Sequence, residues 1–176
     1  WAGWVKPREF RVGHPAYFTQ ALDASNYFAF QSGTTDISTK GIRARLISSG
    51  TNFIYTHSID NLLSLDNWSH IAITYDSSLA AASRFKTYID GKNVTNETLL
   101  SGTVTSFNPD QIMLGSNMDI PESSNSSFNG SIDDFYFYNR ILNATEIYQL
   151  YASNLYKYNT TQWYLTVNQS RNSTDG

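Results

Sequence analysis

The 176-residue sequence predicts an all-β chain: an antiparallel sandwich of two sheets with one short C-terminal helix. Three observations carry this. Short segments alternate apolar and polar residues with period two. An Asp-Gly pair joins two of them, and one late segment has helical spacing behind a capping residue.

The chain opens at Trp1 in a segment that reads as a strand. Asp23-Ala24-Ser25-Asn26 is turn-like and leads into a strand at Tyr27–Phe30. From Gly41, Ile42, Ala44 and Leu46 alternate with Arg43 and Arg45, the signature of a half-buried strand. Asn52–His57 and His70–Tyr75 read likewise, the latter with Ile71, Ile73 and Tyr75 on one face. Arg84–Ile89 runs into Asp90-Gly91, a hairpin turn, and returns through Val94. Gln111–Gly115 and Ile132–Tyr138 add two more strands. Gln31–Lys40, Asp76–Ser83 and Ser116–Asn129, rich in Ser, Asn, Gly and Thr, read as loops. The helix begins at Asn143, with Glu146 three places on as a variant of the capping box. Ile147, Leu150 and Tyr151 then share one face. Beyond Tyr151 the texture changes: Ser153–Thr161 is polar, Gln162–Val167 reads as a fresh strand, and the rest is polar. Either this is a last strand and a polar end, or a linker and the start of another surface domain. The second reading is preferred, dividing the chain into 1–152 and 153–176.

Composition narrows the function. Charged residues are 15% of the chain and the net charge is −3, without long runs, which argues against nucleic-acid or polybasic membrane-surface binding. No apolar run approaches the roughly 18 residues of a membrane span. Cys is absent, so there is no disulfide, zinc knuckle or thiol nucleophile. The pattern N-x-S/T occurs nine times, at Asn67, Asn93, Asn96, Asn125, Asn129, Asn143, Asn159, Asn168 and Asn172. Chance in so Asn-, Ser- and Thr-rich a chain predicts roughly three or four. The excess points to covalent N-glycans and an extracellular, cell-surface location. Nine sequons without a cysteine fit an archaeal-type surface protein better than a small disulfide-bonded secreted domain. Asn93, Asn96, Asn125 and Asn129 are expected to be the best acceptors because they flank turns or lie in a loop. Asn67 is expected to be poor, because Trp68 in its sequon reads as buried.

Trp68–Asp76, then Tyr88-Ile89-Asp90-Gly91-Lys92, then Phe128–Arg140 with Ile141-Leu142 and Glu146-Ile147, resemble the laminin-G-like branch of the concanavalin A-like lectin/glucanase superfamily. Trp4-Val5-Lys6-Pro7 is similar to that family's early tryptophan strand. The resemblance covers about residues 1–152 and implies a jelly-roll sandwich of two antiparallel sheets. Family members carry a strand or two before the tryptophan strand. The Trp1–Lys6 strand is therefore expected to have a sheet edge open to pairing, filled by another segment or by self-assembly.

Glucanase relatives place closely spaced acids on one strand, because glycoside hydrolysis uses two carboxylates. The four Glu here, Glu9, Glu97, Glu122 and Glu146, form no such array, so no catalysis is expected. His14, His57 and His70 lie far apart with no metal-ligand spacing, and no phosphate loop or nucleophile elbow is present. Strand alternation sets Asp133 on a face with Phe135 and Phe137, and Asp134 with Ile132, Tyr136 and Tyr138. Asp133 then needs backbone donors, a basic partner such as Arg140, or a cation such as Ca2+, which several relatives bind. Tyr136 and Tyr138, with Tyr88 in its hairpin, are the candidate aromatic platform for a sugar. The function expected is a non-catalytic binding or adhesion module of a larger glycosylated surface protein, recognising glycan or another surface protein. The rival is a structural building block or spacer of a surface layer or filament, with a glycoside hydrolase a distant third.

Overall fold

A computed structural model describes residues 1–10, 13, 15–34, 37–50, 52–58, 62–102, 108–117 and 127–158. They form β1 (Ala2–Pro7), β2 (Ala16–Asp23), β3 (Asn26–Thr34), β4 (Ile37–Ser48), β5 (Asn52–Ser58), β6 (Ser69–Tyr75), β7 (Phe85–Ile89), β8 (Lys92–Asn93), β9 (Thr95–Ser101), β10 (Gln111–Leu114), β11 (Gly130–Tyr136) and α1 (Ala144–Tyr158). The strands make two antiparallel sheets, one ordered β11-β1-β6-β7-β8 and the other β10-β2-β3-β4-β5-β9. The expected jelly-roll sandwich is the observed architecture.

Between the sheets lies the main core. Val5, Ile71, Ile73, Phe85 and Ile89 meet Phe18, Phe28, Phe30, Ile42 and Ala44. Trp1 adds an edge-on ring to Phe18 and Phe28, at centroid distances of 4.1 and 3.9 Å. A second cluster lies on the outer side of the five-stranded sheet, where Ile147 of α1 covers Ala2, Ala72 and Tyr88. Strand β1 is thus covered on both sides, which is why it reads Ala-Gly-Trp-Val rather than as a clean alternation.

β1 has no free edge. It pairs with β6 on one side and β11 on the other, so the edge expected along Trp1–Lys6 does not exist. Among the described residues the outermost strands on that flank of the sandwich are β11 and β10.

Three further expectations change. Of the expected loop Gln31–Lys40, residues 31–34 belong to β3 and 37–40 to β4, with Ser32 opposite Ile42 and Thr34 opposite Ile37. β2 and β9 carry no clean period-two signal, β2 because Tyr17, Phe18 and Thr19 are buried in succession, on both faces, and β9 because Thr95–Ser101 is mostly polar. Backbone pairing to β3 and β5 makes them strands all the same. Helix α1 continues to Tyr158, through part of the expected linker. The strand read at Gln162–Val167 lies outside the described residues.

At the helix start the capping box is reciprocal. Glu146 N donates to Asn143 Oδ1 at 2.9 Å, and Asn143 N donates to Glu146 Oε2 at 2.8 Å. The Asp90-Gly91 turn has φ of 50° and 75°, the left-handed pair that a two-residue hairpin favours. His70 N donates to Asp90 Oδ1 at 2.9 Å, tying the turn to β6. A Cβ on Gly91 would meet the Tyr148 ring at 2.9 Å and its Cα at 3.1 Å, so α1 packs directly on the turn.

Candidate functional site

At one end of the sandwich the sheets part around a cleft of about 780 Å³. Its inner wall is apolar, built by Trp1, Phe28, Leu46 and Phe85. One side is the end of β6 and the start of β7, with Thr74, Tyr75 and Arg84. The other is the Phe137–Leu142 connection from β11 to α1. The cleft exists because strands of both sheets end here while the aromatic core continues to the mouth: Trp1 also lies 5.4 Å from Phe137.

The polar groups at the mouth are held from behind. Arg84 Nε donates to the Leu79 carbonyl at 3.0 Å, across the β6–β7 connection. Arg140 pairs with Glu146 at 2.7 Å. That hydrogen bond lowers the Glu146 carboxyl below its usual range and raises the Arg140 guanidinium. Burial raises the Tyr138 phenol, neighbouring Tyr136 adds to this and Arg140 opposes it. Among the described residues lining the cleft there is no Asp or Glu.

A β-bulge decides how β11 presents its side chains. From Ala2 to Trp4 β1 advances two residues, whereas β11 spans three, from Asp133 to Tyr136. Asp134 takes φ of 44°, and its N donates to Asp133 Oδ1 at 2.8 Å. The extra residue resets the alternation, so Ile132 and Phe135 both pack on the main core. This corrects the expected faces. Asp133 pairs with Trp4 on the opposite side from Phe135, and Asp134 is the inserted residue. Gly3 faces the bulge, where a Cβ would stand 2.8 Å from the Phe135 ring.

Of the expected aromatic platform, Tyr138 lines the cleft and Tyr136 lies beside it with ring centroids 6.4 Å apart. Tyr136 is 46% exposed, whereas Tyr88 is 3% exposed beneath Ile147. Tyr88 therefore presents no face to a ligand. Its hairpin position suggested a surface residue, but α1 covers that hairpin. Calcium coordination needs six to eight oxygens. Among the described residues no group of three or more His, Cys, Asp or Glu side chains gathers, at Asp133 or elsewhere.

Of the sequon residues, Asn67, Asn93, Asn96 and Asn143 are exposed, and Asn129 is half-buried with Nδ2 donating to Glu9 at 2.9 Å. Trp68 is only half-buried and Asn67 lies on the surface, contrary to the reading that burial would hinder it. Asn125, Asn159, Asn168 and Asn172 lie outside the described residues. Sequence reasoning missed Trp1, Arg84, Phe137 and Asn139 as neighbours, because the cleft lies between elements distant in the chain and no local pattern marks it.

A family model described as the concanavalin A-like lectin/glucanases superfamily matches residues 1–148. No curated protein sequence matches the chain. Among solved structures, the carbohydrate-binding module CBM40 of the Ruminococcus gnavus IT-sialidase, bound to α2,3-sialyllactose, is similar with TM-score 0.60 and 12% identity over 85% of this chain and 79% of that one. Domain 4 of AbnA, a GH43 extracellular arabinanase from Geobacillus stearothermophilus, in complex with arabinotriose, gives 0.58 and 20%, over 85% of this chain and 64% of that one. The native heptameric SAP-like pentraxin from Limulus polyphemus gives 0.54 and 12%, over 87% and 69%.

Proposed function

The chain belongs to the concanavalin A-like lectin/glucanase superfamily, and from that premise we propose that it is a non-catalytic glycan-binding module of a larger, glycosylated surface protein. The observation that carries this is the end cleft. It sets aromatic walls, on which the apolar face of a sugar ring packs, beside Thr74, Arg84 and Asn139, which suit its hydroxyls. Two structurally similar domains hold oligosaccharides, which supports the reading. A lining without Asp or Glu among its described residues supports the non-catalytic part, since hydrolysis uses two carboxylates. The exposed sequons support the extracellular setting.

The test is a glycan array on the chain, in calcium and then in chelator, followed by Phe137→Ala and Asn139→Ala. Binding that falls at least tenfold in both variants supports the cleft. Binding that ignores both removes the cleft as the site, and an array silent in both conditions overturns the function. A loss of binding in chelator alone would support calcium, with Asp133 the first ligand to mutate.

A second reading, assembly into a surface layer or filament, is favoured by a different observation. Ile112 and Leu114 on β10 stand opposite Gln20 and Phe18, so they point between the sheets, yet they are 68% and 58% exposed. Phe137 is exposed on the same flank. Inward apolar side chains at a strand edge invite a covering strand. In this reading assembly uses the edge strands β10 and β11 rather than the Trp1–Lys6 strand, which is paired on both sides.

A further inference from the structure

Within the cleft, Arg84 is arranged for more than hydroxyl recognition. It precedes β7 and is half-buried against the cleft wall. Its Nε–H is committed to the Leu79 carbonyl at 3.0 Å, which fixes the plane of the guanidinium across the Asp76–Ser83 connection. That single bond leaves the two Nη groups as a fork, the geometry that fits the two oxygens of one carboxylate. Arg140, the other cation of the lining, is already held by Glu146, whereas Arg84 makes no ion pair among the described residues. Asp76 lies close in the chain, but its carboxylate accepts from the Ser78 amide at 2.9 Å and from the Ser78 hydroxyl at 2.6 Å. The cleft thus offers one oriented, half-desolvated cation beside an apolar wall, with no described acid in its lining to answer it.

We infer that the cleft selects acidic sugars, and that Arg84 reads their carboxylate while the aromatic wall carries the ring. The inference rests on the glycan-binding reading of the same cleft and names its ligand class. A charge-assisted, two-pronged bond in a partly water-excluded site is among the stronger polar contacts, so the preference should be large.

Calorimetric titration of the chain with trigalacturonic acid, and with its fully methyl-esterified form, isolates the carboxylate. The acid should bind at least tenfold more tightly than the ester. Arg84→Gln should bring the two within about twofold, Arg84→Lys should fall between, and Lys86→Gln, on the exposed face of β7, should leave the ratio unchanged. The same ratio in unmodified protein, weakening with added salt, carries the test if Arg84→Gln melts early. An ester that binds as tightly as the acid overturns the inference and leaves glycan binding standing, as does an Arg84→Gln variant that weakens both equally. Absence of binding to any sugar, acidic or neutral, overturns both.

Discussion

Asp133 and Asp134 illustrate what single residues decide. Two consecutive Asp in a strand pattern invite a search for charge partners, whereas the backbone uses them to build a bulge. Asp tolerates the left-handed conformation better than most residues, and Asp133 caps the next amide with its own carboxylate. His70 makes a testable case. Burial beneath α1, beside Trp4 and Tyr151, pushes its imidazole down to about 4, and its Nδ1 has no hydrogen-bond partner to favour the charged form. Between that value and the ordinary 6.5 the unfolded chain binds more protons than the folded one, so stability falls as pH drops through this window. The loss by pH 4 is about 3 kcal/mol. Urea unfolding at pH 7, 5.5 and 4.5 should show a steeper decline for the natural chain than for His70→Leu. Parallel slopes would count against a buried neutral imidazole. Gly91 gives a second residue-scale case. Gly91→Ala imposes both a strained φ and contact with Tyr148, and should destabilise by more than about 1 kcal/mol in thermal melts.

At the scale of elements, α1 joins local and tertiary causes. Its start is written in Asn143 and Glu146, and Asn143→Ala should cost about 1 kcal/mol of stability, measured by chemical denaturation. Its attachment depends on Ile147, which is fully buried against Ala72 and Tyr88, and Ile147→Ala should cost about 2–5 kcal/mol. A cap variant as damaging as the core variant would mean that the helix end, not its packing, holds it. β4, β6 and β7 were legible because they alternate in sequence, although both faces of β4 and β6 are largely buried. Arg43, expected on an open face, is 3% exposed and donates to Gln31, and α1 covers Ala72. β9 was not legible, because a polar strand held by its neighbour's backbone looks like a loop. The length of α1 was not legible either, since Ser153–Tyr158 has the polarity of a linker.

For the whole molecule, the arrangement of sheets decides which surfaces are available. The β10–β11 flank leaves inward-pointing Ile112 and Leu114 uncovered, and assembly should depend on them. Sedimentation across a concentration series should show self-association that Ile112→Lys abolishes. A monomer at every concentration would remove the assembly reading and leave the module as a binder. The cleft is equally a property of the whole, bringing Trp1, Arg84 and Phe137 together at one mouth.

The sequence by itself determined the all-β class, the antiparallel sandwich, the Asp90-Gly91 hairpin, the capped helix and, through its resemblance, the superfamily. These follow from local patterning, turn chemistry and residue order, which act between near neighbours in the chain. Only the tertiary structure decided that β1 is enclosed by two partners, that Tyr88 is covered, that Asp133 faces away from Phe135, and that a cleft opens beside Arg84. Each depends on which distant segment lies alongside or on top. Strand alternation carries no record of a bulge or of the layer that will cover a face.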